Sequence, residues 1–187
     1  MGKHGVLCAL SSKRRALLEE DPELLTDVIG HRHRERIPGL FDLDEAWEAL
    51  DVLLGEDEDE LLGDAVLARS GAPFGPDLGY GRAKLLTPDR VLAVSRALAA
   101  LADGFVDERF VRLEGRRVQG GYGPKPPRGG PEEYAEELAA LGDEVEVEER
   151  AEDERAEREE LETRLEALKE FFRGAAERRE AVVAVVA

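Results

Sequence analysis

Apolar residues at Leu43, Ala46, Trp47, Leu50, Leu53 and Leu54 recur at the i, i+3, i+4, i+7, i+10, i+11 spacing of one helix face. The stretch Asp42 to Gly55 therefore reads as an amphipathic helix, with Asp42 as cap, Glu45 in the capping-box position and Gly55 as stop. Gly5 to Leu10 is short, apolar and uncharged, which suits a buried strand. Ser11 or Ser12 then caps a helix carrying Leu17 and Leu18, and Asp21-Pro22-Glu23 restarts it with Leu24, Leu25, Val28 and Ile29 on the buried face and Gly30 at the end. Leu61 to Arg69 is apolar and too short to decide between helix and strand. Phe74 to Leu86 begins as a glycine-rich loop and ends as a strand.

Thr87-Pro88-Asp89 is a helix start, a capping hydroxyl followed by proline in the first turn, with Val91, Val94, Leu98 and Leu101 as the inward stripe. Asp103-Gly104 breaks that helix before another with Phe105, Val106 and Phe110. Gly115 to Pro131 carries too many glycines and prolines for regular structure and reads as a loop. A helix with Tyr134, Leu138 and Leu141 follows, then an almost wholly charged stretch from Asp143 to Glu160, where Glu146/Arg150 and Glu154/Arg158 have the favourable i, i+4 orientation. Apolar periodicity returns at Leu161, Leu165, Leu168, Phe172 and Ala175. The closing run Ala181 to Ala187 is β-branched and reads as a strand in the same sheet as residues 5–10. The pattern predicts an α+β fold: a single domain over residues 1–187, helices packed around a small sheet that includes the N- and C-terminal strands. Within it lie a Gly/Pro-rich loop near 115–131 and a charged insertion near 143–160.

Composition narrows the function classes. With 26 Lys and Arg against 43 Asp and Glu, the 187-residue chain has a formal charge of -17, which repels nucleic-acid phosphates and anionic membrane surfaces. Cys8 is the sole cysteine, so an internal disulfide and a thiolate cluster are both excluded, as suits a reducing cytosol. No apolar run approaches the roughly 18 to 20 residues of a membrane helix, and the N-terminus lacks a signal-peptide pattern. Met1-Gly2 opens like an acylation site, but Val6 stands where serine or threonine is wanted. The expectation is a soluble cytoplasmic protein.

Candidate chemistry is sparse. His31 and His33 share a side only in a strand, and a metal site there needs further ligands. The acidic run Glu56 to Glu60 lacks the spacing and central glycine of a calcium loop and reads as an exposed acidic loop. Gly75, Gly79 and Gly81 are not followed by the lysine and hydroxyl residue of a phosphate loop. No catalytic residue, metal ligand or cofactor is assigned.

The ordered set of stretches resembles the YfbM-like family of bacterial proteins, DUF1877. The pieces are the opening Met-Gly and first strand, Leu43-Asp44-Glu45-Ala46-Trp47 continuing to Leu53-Leu54-Gly55, Asp77-Leu78-Gly79-Tyr80-Gly81-Arg82-Ala83 leading into Leu86-Thr87-Pro88, and Leu168-Lys169-Glu170-Phe171-Phe172 with the closing valine strand. Family members often carry histidine where this chain has Asp51, and the family's Tyr-Pro-Gly turn is echoed by Gly121-Tyr122-Gly123-Pro124. The resemblance implies an α+β domain of unknown function and no reaction.

Three function classes remain: a purely structural or homo-oligomeric role with the 161–176 helix as interface, and two that involve a partner or a ligand. The first of these two is a non-enzymatic binding or interaction domain whose acidic surface engages a basic protein. The second is a small-ligand binder or enzyme with a pocket between the Trp47 helix and the Tyr80 loop. There Trp47 and Tyr80 are walls, Asp51 an acid or base, Arg82 an anion clamp, and Tyr122 a further contact. Against the pocket stands the expectation that Trp47 is core, Tyr80 caps it and Arg82 pairs with a carboxylate.

Overall fold

The computed structural model of the chain describes residues 4–29, 37–44, 46–55, 59–77, 81–110 and 144–186, with the backbone course alone for 144–152. Five strands, β1 (Gly5–Leu10), β2 (Leu40–Asp44), β3 (Ala72–Asp77), β4 (Arg82–Leu86) and β5 (Ala181–Val186), form one sheet in the order β2-β1-β5-β4-β3. Every neighbouring pair is antiparallel. The fold is α+β, and the first and last strands pair along their full length at the sheet's centre. Their uncharged apolar sequences follow from that place, because side chains on both faces are covered.

On one face Cys8, Leu10, Ala83, Leu85, Ala181, Val183 and Val185 are buried together with Leu18, Leu25 and Ile29. Leu18 comes from α1 (Ser12–Glu20), which Ser11 caps by accepting from the Arg14 amide, and the other two from α2 (Leu24–Ile29). Helix α2 starts later than Pro22, so Leu24 is exposed and the buried stripe reduces to Leu25 and Ile29. The other face meets α3 (Ala46–Gly55), α4 (Glu60–Leu67) and α5 (Pro88–Ala99): α4 lies against β1 and β5, and α5 against β5. Thr87 caps α5, with Val91, Val94 and Leu98 buried as their spacing predicts.

The helix expected from Asp42 begins at Ala46 instead. Phe41 and Asp42 pair with Leu7 and Val6 of β1, and Leu43 is buried as a strand residue. The chain then turns at Asp44, whose φ is 52° and whose amide donates to Asp42 Oδ1 at 3.0 Å. A leucine inside a 3.6-residue pattern also satisfies a strand's alternation, and pairing with β1 decides between them.

Residues 61–67 are helical, and the end of the acidic run starts that helix rather than a loop: Asp59 Oδ1 accepts from the Leu61 amide at 2.8 Å and the Leu62 amide at 3.3 Å. Carboxylates are favoured there by the partial positive charge of a helix N-terminus. The glycine-rich loop expected from Phe74 is strand β3, whose Pro73 and Pro76 are tolerated because it is an edge.

Helix α6 (Glu144–Glu177) buries Leu161, Leu165, Leu168, Phe172 and Ala175, the stripe that the spacing predicts. Phe171 stacks on Phe41 of β2 at 5.5 Å between ring centroids.

The chain divides into two compact units. The first is Met1–Ala102 with Thr163–Ala187, and holds the sheet; the second is Asp103–Glu162. In the second, residues 105–110 are helical, and the Arg158 guanidinium lies 4.7 Å from the Phe110 ring centroid. The 115–131 loop, the Tyr134 helix, His31 and His33 lie outside the described residues. Among the described residues no helix is long and apolar enough to cross a membrane.

A candidate anion-binding cleft

The antiparallel register carries specific side chains to one face of the sheet. Lys84 stands opposite Ala184, which stands opposite Leu7; Val186 stands opposite Gly5. Alternation puts Arg82, two residues before Lys84, on the same face. Trp47 sits there too, because Gly5 leaves room: a β-carbon at Gly5 would lie 2.5 Å from Trp47 Cβ and 2.8 Å from Cγ. Trp47 is thus half-buried against the end of β1, near the first turn of α3.

Arg69 arrives from another direction. Helix α4 ends at Ala68 in the left-handed conformation, with φ of 46°, which turns the following residue back along the helix. Gly63 and Gly55 flank the side chain, a β-carbon at Gly55 being 3.3 Å from the guanidinium nitrogens and one at Gly63 3.6 Å from Arg69 Cδ. Asp51, one helical turn after Trp47, accepts a hydrogen bond through Oδ2 from Arg69 Nη2 at 2.6 Å. Burial pushes the Asp51 carboxyl above its ordinary value, against the Arg69 hydrogen bond and charge, which pull it down. Its Oδ1 is buried with no hydrogen-bond partner.

Trp47, Leu67, Arg69, Gly81, Arg82, Lys84, Ala184, Val185 and Val186 together line a cleft of about 500 Å³. Its lining combines an indole and aliphatic surface with three cations. Neither Arg82 nor Lys84 has an ion-pair partner among the described residues. On a chain with a formal charge of -17, this is a local reversal of sign.

A second cleft of about 320 Å³ lies behind Arg69, lined by Gly55, Asp59, Glu60, Gly63, Asp64, Arg69 and Ser70. Its buried carboxylate is already satisfied: Asp64 accepts from the Ser70 amide at 2.7 Å, Ser70 Oγ at 2.6 Å and Arg90 Nε at 2.5 Å. A third, of about 420 Å³, belongs to the second unit, where Arg155 pairs with Glu159 at 3.0 Å and Arg158 faces Asp107 at 3.8 Å. Among the described residues no group of three His, Cys, Asp or Glu is placed to hold a metal ion.

Of the residues singled out from the sequence, Trp47 and Arg82 line the first cleft, and Asp51 joins it through Arg69. Tyr80 and Tyr122 lie outside the described residues. The pairing of Arg82 with a carboxylate is not found among the described residues. Sequence reasoning missed Lys84, which strand alternation from Arg82 could have found, and Arg69, which depends on the turn at Ala68.

Residues 1–116 match the model of the family described as "Domain of unknown function (DUF1877)". Among solved structures the chain is similar to the protein of unknown function YfbM from Escherichia coli, at 17% identity and a TM-score of 0.60, over 98% of this chain and 99% of that one. At that identity the likeness is one of fold. No curated protein matches the chain.

Proposed function

The chain belongs to the DUF1877 family of domains of unknown function, and from that premise we propose that it is a binding protein whose cleft beside Trp47 takes a small organic anion. The observation that carries this reading is the meeting of Arg82, Lys84 and Arg69 with the Trp47 indole in one cavity of about 500 Å³. That volume falls in the range of small-molecule sites, roughly 300 to 1,000 Å³. Cations give an anion its charge-assisted hydrogen bonds, and the indole and the aliphatic side of β5 give it a place for a flat apolar part.

Binding is favoured over catalysis by the chemistry of the lining. The described residues around the cleft supply cations, an indole, glycine and aliphatic carbon, with no hydroxyl, thiol, imidazole or carboxylate among them. Asp51, the neighbouring carboxylate, is turned to Arg69 and holds that guanidinium in place. The acidic remainder of the surface suits a basic protein partner, and the single cysteine a cytoplasmic setting.

Trp47 is the only tryptophan, so its fluorescence reports on the cleft directly. Titration with benzoate, phenylacetate and phenyl phosphate at low ionic strength should give saturable changes in emission for at least one of them. The double variant Arg82→Glu/Lys84→Glu should abolish the response while retaining the wild-type far-UV circular dichroism. Emission unmoved by all three probes would overturn the reading.

A further inference from the structure

We infer that Asp51 regulates the cleft through its proton: the ionised carboxylate holds back part of the Arg69 charge, and the protonated carboxyl releases that charge to a bound anion. The inference rests on the anion-binding reading above. Arg69 belongs to both arrangements, because its half-exposed side chain lines the cleft while Nη2 donates to Asp51 Oδ2 at 2.6 Å. Among the described residues Arg69 is the one partner of the Asp51 side chain.

The place of the proton decides the sign. Asp51 Oδ1 is buried with no hydrogen-bond partner, and the side chain as a whole is 16% exposed, so solvent supplies the proton. A proton on Oδ1 leaves Oδ2 free to go on accepting from Arg69. The pair then changes from neutral to a single positive charge with its hydrogen bond kept. Packing also keeps Arg69 where it is, since Gly55 and Gly63 leave the room that its guanidinium and stem occupy. A bound anion therefore meets the same guanidinium without a competing carboxylate, and affinity rises as pH falls. Burial pushes the carboxyl above its ordinary value against the pull of Arg69, so the change comes at a higher pH than in an exposed aspartate. The linkage is reciprocal: an anion beside Arg69 disfavours the ionised carboxylate, so binding takes up a proton.

Charges on the neighbouring elements leave Asp51 to Arg69. Asp64 of α4 and Arg90 of α5 bond each other at 2.5 Å, Glu60 lies 3.8 Å from Arg90, and Asp59 caps α4. On β2, Asp42 accepts from the Asp44 amide and Asp44 pairs with His4 at 2.9 Å. Glu48 lies three residues before Asp51 on α3. Asp77 accepts from the Gly81 amide at 3.2 Å and stands opposite Arg82 in the β3–β4 register, where its charge counts against the cations of β4. None of these bonds Asp51.

The test uses benzenesulfonate, a strong-acid anion that keeps its single charge throughout, so that only the protein titrates. Its affinity is read by Trp47 emission at low salt from about pH 8 to about pH 5. Asp51→Asn fixes the neutral form and keeps an oxygen for Arg69; at about pH 8 it should bind benzenesulfonate about fivefold more tightly than the wild type or better, the low end of coupling between two sites. The wild type should approach the variant as pH falls. Every other titratable group, His4 and Asp77 included, is common to both proteins, so the gap between them isolates Asp51. On an Arg69→Gln background, with no guanidinium to release, Asp51→Asn should gain less than about twofold. Calorimetry of the wild type at about pH 5.5 in two buffers of different ionisation enthalpy should show net proton uptake on binding, a readout that needs no substitution. An Asp51→Asn that binds no better than the wild type, a gap that stays constant with pH, an equal gain without Arg69, or binding with no proton uptake would each overturn the inference and leave the anion-binding reading standing. Emission unmoved by benzenesulfonate in wild type and Asp51→Asn alike would remove the underlying reading itself.

Discussion

Asp64 gives the sharpest test of how the cleft is held in place. It is the one charged residue among the described ones that is fully buried, at 0% exposure, and it joins three elements: α4, the turn at Ser70 that leads into β3, and α5 through Arg90. Asp64→Ala leaves the Ser70 amide, the Ser70 hydroxyl and Arg90 Nε without their acceptor. Breaking a buried ion pair by removing one partner costs about 3–5 kcal/mol. Here the Arg90 side chain is 28% exposed and keeps a 3.2 Å hydrogen bond from Nη2 to the Glu60 carbonyl, which softens the loss. The expected cost is therefore about 2–4 kcal/mol, a large share of the roughly 5–15 kcal/mol that holds a typical domain folded.

Urea denaturation followed by Trp47 emission measures it. With a slope of about 2 kcal/mol per molar urea, the midpoint should fall by about 1–2 M. The double-mutant cycle with Arg90→Ala should show a coupling of at least about 1 kcal/mol, because each residue is the other's partner. A midpoint shift under about 0.3 M in Asp64→Ala would refute the reasoning. Because Ser70 follows Arg69 directly, the same variant should also weaken binding of phenyl phosphate under conditions where it remains folded.

Two further outcomes follow from named contacts. Gly5→Ala forces a β-carbon to within 2.5 Å of Trp47 Cβ, an atom tied to the α3 backbone that no rotamer change can move away. It should destabilise the fold by about 1–3 kcal/mol and shift the Trp47 emission maximum; unchanged urea midpoint and emission would count against the packing described. Burial pushes the Cys8 thiol from its ordinary 9.0 up to about 11, with Arg14 lowering it and Glu180 raising it. Below pH 9 both states hold the proton and the contribution is complete. Between about 9 and 11 the unfolded chain releases a proton that the folded chain keeps, so stability falls as pH rises. From pH 8 to 10.5 the wild type should lose about 2 kcal/mol more than Cys8→Ala, and equal losses would show that the thiol is not desolvated.

The parts legible in the sequence are those where local signals and tertiary contacts agree. An uncharged apolar run too short for a core helix has one destination, so Gly5–Leu10 and Ala181–Val186 read as strands and pair at the centre of the sheet. Thr87-Pro88 starts α5 by backbone chemistry that needs no neighbour. The parts that misled are those where a distant partner decides. Asp42 looks like a helix cap until Val6 and Leu7 claim Asp42 and Phe41 for the sheet. Pro73, Gly75 and Pro76 look like a loop until pairing with β4 makes them an edge strand.

The cleft follows the same division. Trp47 and Arg82 attract notice by residue type. Arg69 does not, because its reach depends on a left-handed turn at Ala68 and on two glycines, Gly55 and Gly63, contributed by different helices. Part of the apolar lining comes from Ala184 to Val186, beyond the residues 1–116 that match the family model. Ala184 stands opposite Lys84 and Val186 opposite Gly5 only because the last strand inserts between β1 and β4. The strand that completes the sheet therefore also lines the cleft, adding its aliphatic side chains to the apolar surface that Trp47 and Leu67 already supply beside the cations.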